Sequence, residues 1–289
     1  MAKVKSMKRK NKITNTIIYI SLAILSVIWI IPIFLIVYIS LSPLNDETVL
    51  INFPSLSQLT LVHYVNLFNT SRSNYLLWFR NTLIVALVTM LVNTFFIMAV
   101  AYTMSRLKFK CRKTLMLINL ILGMFPGFMS MIAVYNILNL VNLTKSLFGL
   151  TLCYTMCSGM GFYVAKGFFD TISKSLDEAA RIDGATNAEI FFKIILPLSK
   201  PIIVYTLVTS FMGPWMDFIF CKVILRDANE SYTIALGLNR WLSTDDGYRT
   251  KYFVDFFAGS VVISIPIMAV FLSTQKYYVA GVTGGAVKG

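Results

Sequence analysis

Charge is what this 289-residue chain has least of. Asp, Glu, Lys and Arg together make up 13% of it, about half of the ~25% usual in soluble globular domains. So small a supply does not cover a water-facing surface for one large domain or two small ones. The single histidine, His63 in the first loop after the N-terminal apolar run, excludes a His-based metal or catalytic cluster. Four cysteines exclude a disulfide scaffold, and 15 glycines with 8 prolines exclude collagen-like and low-complexity chains. The string Gly-x4-Gly-Lys-Ser/Thr, which cradles nucleotide phosphates at a helix start, is absent. In place of all these there is apolar sequence: 57% hydrophobic residues and a mean hydropathy of +0.71. That balance describes an integral membrane protein.

A helix needs about 20 mostly apolar residues to cross the hydrocarbon core. Windows free of charge run over 13–45, 81–105, 114–144, 146–165 and 256–275, and 201–221 is interrupted only by Asp217. These predict six transmembrane helices. None alternates with the ~10-residue rhythm of a membrane β-barrel, so the fold class is all-α and polytopic. The first window is longer than the ~7–15 apolar residues of a signal peptide and is expected as a retained span. The chain then divides into a basic N-terminus (1–12), a first span (13–42), an external loop (43–80), a core of five spans (81–276) and a Gly-rich tail (277–289).

Lys and Arg placement sets orientation. With the N-terminus inside, six spans return the C-terminus to the same side, and 18 of the 26 basic residues fall there. The formal charge of +13 is therefore a topology signal facing anionic lipid, and nucleic acid is excluded as a partner.

The long inner segment 170–200 carries the densest local signals. Ser175 with Glu178, and Thr186 with Glu189, both fit the Ser/Thr-x-x-Glu capping box. Gly184 between them is suited to a helix stop in the left-handed region. The reading is helix, glycine stop, second helix, with Pro197 interrupting the apolar run before span five. Leu176, Ala179, Ala180 and Asp183 share a side of the first helix by i+3/i+4 spacing, and the alanines admit close approach by another surface. Such a loop either docks a partner or rests on headgroups; four acids on the basic side of the membrane favour docking.

Glu178-Ala179-Ala180, three residues, Gly184, nine residues, Ile194, one residue, Leu196-Pro197 resembles the EAA loop of ABC importer permeases at every signature position. The resemblance implies a type I permease fold and a coupling helix seated in a separate cytoplasmic ATPase. Glu178, Ala179, Ala180, Asp183 and Gly184 would form the docking element, with Ile194, Leu196 and Pro197 setting its angle to span five. Arg80-Asn81-Thr82, the stretch Ala101–Phe109, Met124-Phe125-Pro126-Gly127 and the C-terminal Gln275–Gly289 are similar to the carbohydrate branch, of maltose/maltodextrin type, and to its smaller permease subunit. Met216 stands where sugar permeases usually carry Asn in Trp-Asn-Asp/Glu-Phe. The implied assembly is a bacterial cytoplasmic-membrane importer. It comprises this chain, a second permease subunit, two ATPases holding ATP and Mg, and an external solute-binding protein. No cofactor or catalytic residue is expected on this chain. Another glycan or a polyol is an alternative cargo. An ion-driven secondary transporter is disfavoured, because no internal repeat or mid-membrane charge is found.

Asp217 is expected as the sole intramembrane acid, bonding sugar hydroxyls, pairing with Lys222 or reaching headgroup water. Asn93 in span two either lines a pathway or bonds a neighbouring helix. Trp215 and Tyr154 either stack on a sugar ring or anchor at the membrane boundary. In the external loops, Tyr232, Trp241, Tyr248, Arg226 and Arg240 are candidate contacts for a binding protein, or pack within the loops. Cys153 and Cys157, at i,i+4 on span four, read as small buried hydrophobes rather than metal ligands.

Overall fold

A computed structural model describes residues 2–156, 160–243 and 247–286. Cys157 lies outside the described residues. In chain order the helices are α1 (Ala2–Ser40), α2 (Val62–Phe68), α3 (Tyr75–Arg106), α4 (Arg112–Gly123), α5 (Gly127–Leu140), α6 (Leu147–Met156), α7 (Gly161–Thr171) and α8 (Lys174–Ile182). There follow α9 (Asn187–Glu189), a π-helical stretch (Ile190–Ile195), α10 (Leu196–Leu198), α11 (Lys200–Met216), α12 (Ile219–Leu225), α13 (Ile234–Trp241) and α14 (Tyr248–Ala286).

Among the described residues, 13–40, 75–106, 147–171 and 248–275 are long and apolar enough to cross a membrane. Two bent pairs bring the number up to six, in line with the six windows. The first pair is α4 and α5, turned by 104° at Pro126, which lacks an N–H and sits at the α5 N-cap. Span three, over the window 114–144, is thus a broken helix, with its break in the Met124-Phe125-Pro126-Gly127 stretch. The second pair turns by 85° at Ser199, between Pro197 and Pro201, so that only α11 follows on as span five.

Several expected boundaries shift. Span five ends at Met216 rather than 221, because Asp217 leaves the helix in an extended conformation and α12 restarts at Ile219. Within the expected external loop (43–80), α2 forms and α3 already begins at Tyr75. The Gly-rich tail begins as a continuation of α14, which runs to Ala286.

Two compact units are present. One comprises 1–73 and 241–262. In it His63 is buried rather than loop-exposed, with Nδ1 2.5 Å from Asp255 Oδ1, and Arg72 Nη2 lies 3.4 Å from Oδ2. Asp255 belongs to α14, so Asp217 is not the sole acid within an apolar span: an imidazole and a guanidinium accompany Asp255, and burial of an acid is tolerated when it is so paired. Trp241, a candidate external contact, is also buried here, stacked on Tyr252 at 5.2 Å.

The other unit comprises 74–240 and 263–289. Its spine is α3, against which α6, α7 and α11 pack. The buried stripe of α3 runs Trp78, Thr82, Val85, Ala86, Thr89, Asn93, Ile97, Ala101 and Ser105. Small side chains there let backbones approach, which is how helices associate where lipid competes for every apolar contact. At Gly237 on α13 a Cβ would stand 1.9 Å from the Trp78 ring, so the approach there leaves no room for a side chain. Asn81 and Thr82 tie α3 to the segment before α13. Asn81 Nδ2 donates to the Glu230 and Tyr232 carbonyls, and Thr82 Oγ1 accepts from Ile234 N.

Candidate functional site

The loop between α7 and α11 is closed at every turn by its own hydrogen bonds. Ser173 caps α8, its Oγ accepting from Ser175 N at 3.3 Å. The expected Ser175–Glu178 box is therefore corrected. The non-helical backbone at Ser173 (φ −57°, ψ 131°) puts its hydroxyl over the Ser175 N–H, and Ser175 is already helical. At the other end, Ala185 N donates to Ala180 O at 2.9 Å and Gly184 N to Arg181 O at 3.1 Å, with Gly184 at φ +84°. This double bond pattern with a left-handed residue is a Schellman stop, and glycine adopts it without the Cβ penalty. The Thr186–Glu189 box forms as expected, and Lys193 Nζ donates to Glu189 Oε1 at 2.9 Å. These contacts hold the exposed Glu189 carboxyl, first through Lys193 and then through Thr186, at a pKa of about 2.

The faces of α8 differ from the expected grouping. Ser175, Glu178, Ala179 and Ile182 form an outward i, i+3, i+4, i+7 stripe, with Leu176 and Asp183 also exposed. Ile182 is 87% exposed. Ala180 is not on that stripe: with Asp177 it points inward, into the cluster of Ile97, Ala101, Phe169, Ile190 and Ile195. Its small side chain admits the chain's own core rather than a partner. Ile194 and Leu196 pack half-buried against this cluster, while Ile190 and Ile195, absent from the expected set, are fully buried. Pro197 lies on the loop side of the 85° bend.

Beneath α8 sits a buried ion pair that the spacing of residues did not reveal. Arg106 Nε lies 3.1 Å from Asp177 Oδ2, with side chains 1% and 8% exposed. Arg106 Nη2 also donates to the Phe169 and Ile172 carbonyls at 3.0 and 2.8 Å. Removing one member of such a pair leaves a charge stranded, at a cost of about 3–5 kcal/mol. Arg106 stands within the Ala101–Phe109 stretch, and Asp177 directly precedes the loop motif that starts at Glu178.

Of the four pathway candidates the structure brings two together. Tyr154 OH donates to Asp217 Oδ2 at 2.9 Å, and Phe220 N donates to Oδ1 at 3.0 Å. Both side chains line a cavity of about 260 Å³ with Ser130, Val134, Cys153 and Phe220. Lys222 is not the partner of Asp217; its Nζ lies over the Phe218 ring. Asn93 is in the helix packing instead, its Nδ2 donating to Ser210 Oγ on α11 at 3.1 Å. Trp215 is buried between Phe79 and Phe211 and does not line this cavity. Met216 beside it is 71% exposed, so the side chain that replaces the usual amide faces outward.

Long apolar helices, two broken spans and a hydrogen-bonded loop leading into one of them define a polytopic membrane protein. The chain belongs to the family of binding-protein-dependent transport system inner membrane components, which matches residues 96–283. It is 35% identical to the galactooligosaccharides transport system permease protein GanQ of Bacillus subtilis, over 98% of this chain and 99% of that one. It is 33% identical to the maltodextrin transport system permease protein MdxG of the same organism, over 94% and 95%. A crystal structure of a bacterial ABC transporter involved in the import of the acidic polysaccharide alginate superposes with a TM-score of 0.78 at 20% identity, covering 93% of this chain and 98% of that one. The fold is that of a type I ABC importer permease, embedded in the membrane.

Proposed function

We propose that this chain forms half of the membrane pathway of an ATP-driven oligosaccharide importer, with maltodextrin-like glycans as its cargo. The similarity to GanQ, a galactooligosaccharides permease, and MdxG, a maltodextrin permease, supports the substrate class. A second permease subunit supplies the other half of the pathway. Two separate ATPases bind ATP and Mg and take up the α8 stripe, and an external binding protein delivers the sugar. Both termini face the cytoplasm.

The observation that carries this reading is the outward stripe of α8. An isoleucine, an alanine and a glutamate stand on a helix whose own contacts leave that face free, with a Schellman stop behind it. An exposed apolar residue flanked by acids suits a cleft with an apolar floor and basic rim. Glu178→Arg reverses the charge on this face, and Gly184→Leu strains the stop. Each is expected to abolish uptake and binding-protein stimulation of ATP hydrolysis, while the affinity of the binding protein for sugar stays unchanged. Normal uptake in both variants overturns the docking assignment.

The Tyr154–Asp217 pocket is the part of the pathway on this chain. A carboxylate, a phenol and a serine beside Phe220 offer the mixture of acceptor, donor and apolar face that a sugar ring binds.

A further inference from the structure

Three residues at the C-terminal end of α3 hold the docking loop from below. Tyr102 OH donates to the Asn187 carbonyl, at the first residue of α9, at 3.1 Å. Ser105 Oγ donates to Asp170 Oδ1 on α7 at 2.6 Å. Arg106 binds Asp177 on α8 and both carbonyls that close α7. Positions 102, 105 and 106 are i, i+3 and i+4, so one face of one helical turn grips three elements. The Tyr102 ring adds contact with Phe191 at 5.0 Å.

We propose that this last turn of α3 is the joint through which movement of the docking loop enters the membrane helices, with the buried Arg106–Asp177 pair as its fixed point. The inference rests on the docking reading above. A displacement of α8 cannot be absorbed by slack in the loop, because the Ser173 cap, the Schellman stop and the Thr186 box close each turn. It is passed instead to Arg106, and from there to the helix on which α6, α7 and α11 pack. Arginine suits the position because one planar guanidinium serves a carboxylate and two carbonyls at once, which an ammonium on a flexible stem does not. Arg106 and Tyr102 are positioning residues: they touch neither cargo nor the exposed stripe.

Since the joint and the stripe lie on opposite faces of α8, each can be altered alone. The complete importer, purified through a tag on this chain, is reconstituted in liposomes with loaded binding protein, and sugar uptake and ATP hydrolysis are measured together. Arg106→Lys and Asp177→Asn are expected to retain the ATPase at wild-type stoichiometry and to lower sugar moved per ATP by about tenfold. Tyr102→Phe keeps the ring and removes one hydroxyl; it is expected to lower the ratio by about two- to threefold, and it decides the matter if the other two do not assemble. A wild-type ratio in Tyr102→Phe and in every ion-pair variant that assembles overturns the joint. Ile182→Asp separates the two readings. Undiminished ATPase capture by that variant defeats the docking reading, whereas its loss alongside wild-type ratios in the joint variants leaves docking standing and removes the joint.

Discussion

Gly184 is the residue on which the loop between α7 and α11 turns. Nothing crowds its missing Cβ, but φ +84° is left-handed. Gly184→Ala is therefore expected to cost about 1–2 kcal/mol through backbone strain alone, read as a lower melting temperature of the detergent-solubilised complex. Gly237 fails for the opposite reason. Its φ is ordinary, but a methyl there would enter the rigid, buried Trp78 ring. Gly237→Ala should destabilise by about 1–3 kcal/mol through overpacking, with the same readout. Sequence pattern made Gly184 legible, because a stop between two caps has a local signature. It left Gly237 unmarked, because close approach of two segments far apart in the chain has none. The same division runs through the pathway candidates. Tyr154 and Asp217, 63 residues apart, meet in one pocket, whereas Asn93 and Trp215, of equally suggestive type, are spent on helix packing.

Among the elements, the second helix of the loop begins with the most complete local motif. Thr186 and Glu189 exchange hydrogen bonds in both directions, and Lys193 adds a third partner. The folded pKa of Glu189 is lowered from 4.5 to about 2. A depressed carboxylate contributes stability that is fully present above its unfolded value and is lost as pH falls through the folded one. Hydrogen exchange at the Glu189 amide, which donates to Thr186 Oγ1, should be protected equally at pH 8 and pH 6. It should lose protection as pH drops from about 4.5 toward 2, and Thr186→Ala should abolish the protection throughout. The first helix shows the limit of motif reading. Ser173 and Ser175 are both good caps, and only the path of the chain leaving α7 decides that Ser173 is used. Likewise a proline inside an apolar window is where a helix can break, but the sequence does not give the 104° turn found at Pro126.

At the scale of the molecule, α1 from Ile13 to Ser40 is apolar on all sides and unburied through its most apolar window. Lipid or another chain must cover it, as a membrane subunit requires. The bias of basic residues predicts that both ends of the chain face the cytoplasm. A cysteine introduced near the N-terminus should resist an impermeant maleimide in intact cells and react after permeabilisation. Labelling without permeabilisation would reverse the topology.

Composition alone determined that the chain crosses a membrane and about how often. These properties are sums over residues, and the bilayer reads them as sums. The loop motif and its stop were legible for a related reason: caps and left-handed glycines act within four residues of themselves. Tertiary structure alone decided which side of each span faces protein, because lipid tails are as apolar as a neighbouring helix and hydropathy does not distinguish them. It alone paired Arg106 with Asp177, sank His63 beside Asp255 and turned Ala180 inward. Those contacts join residues distant in sequence, and a charge taken out of water is tolerated only where the assembled site supplies its partner, a property of that site and not of any segment.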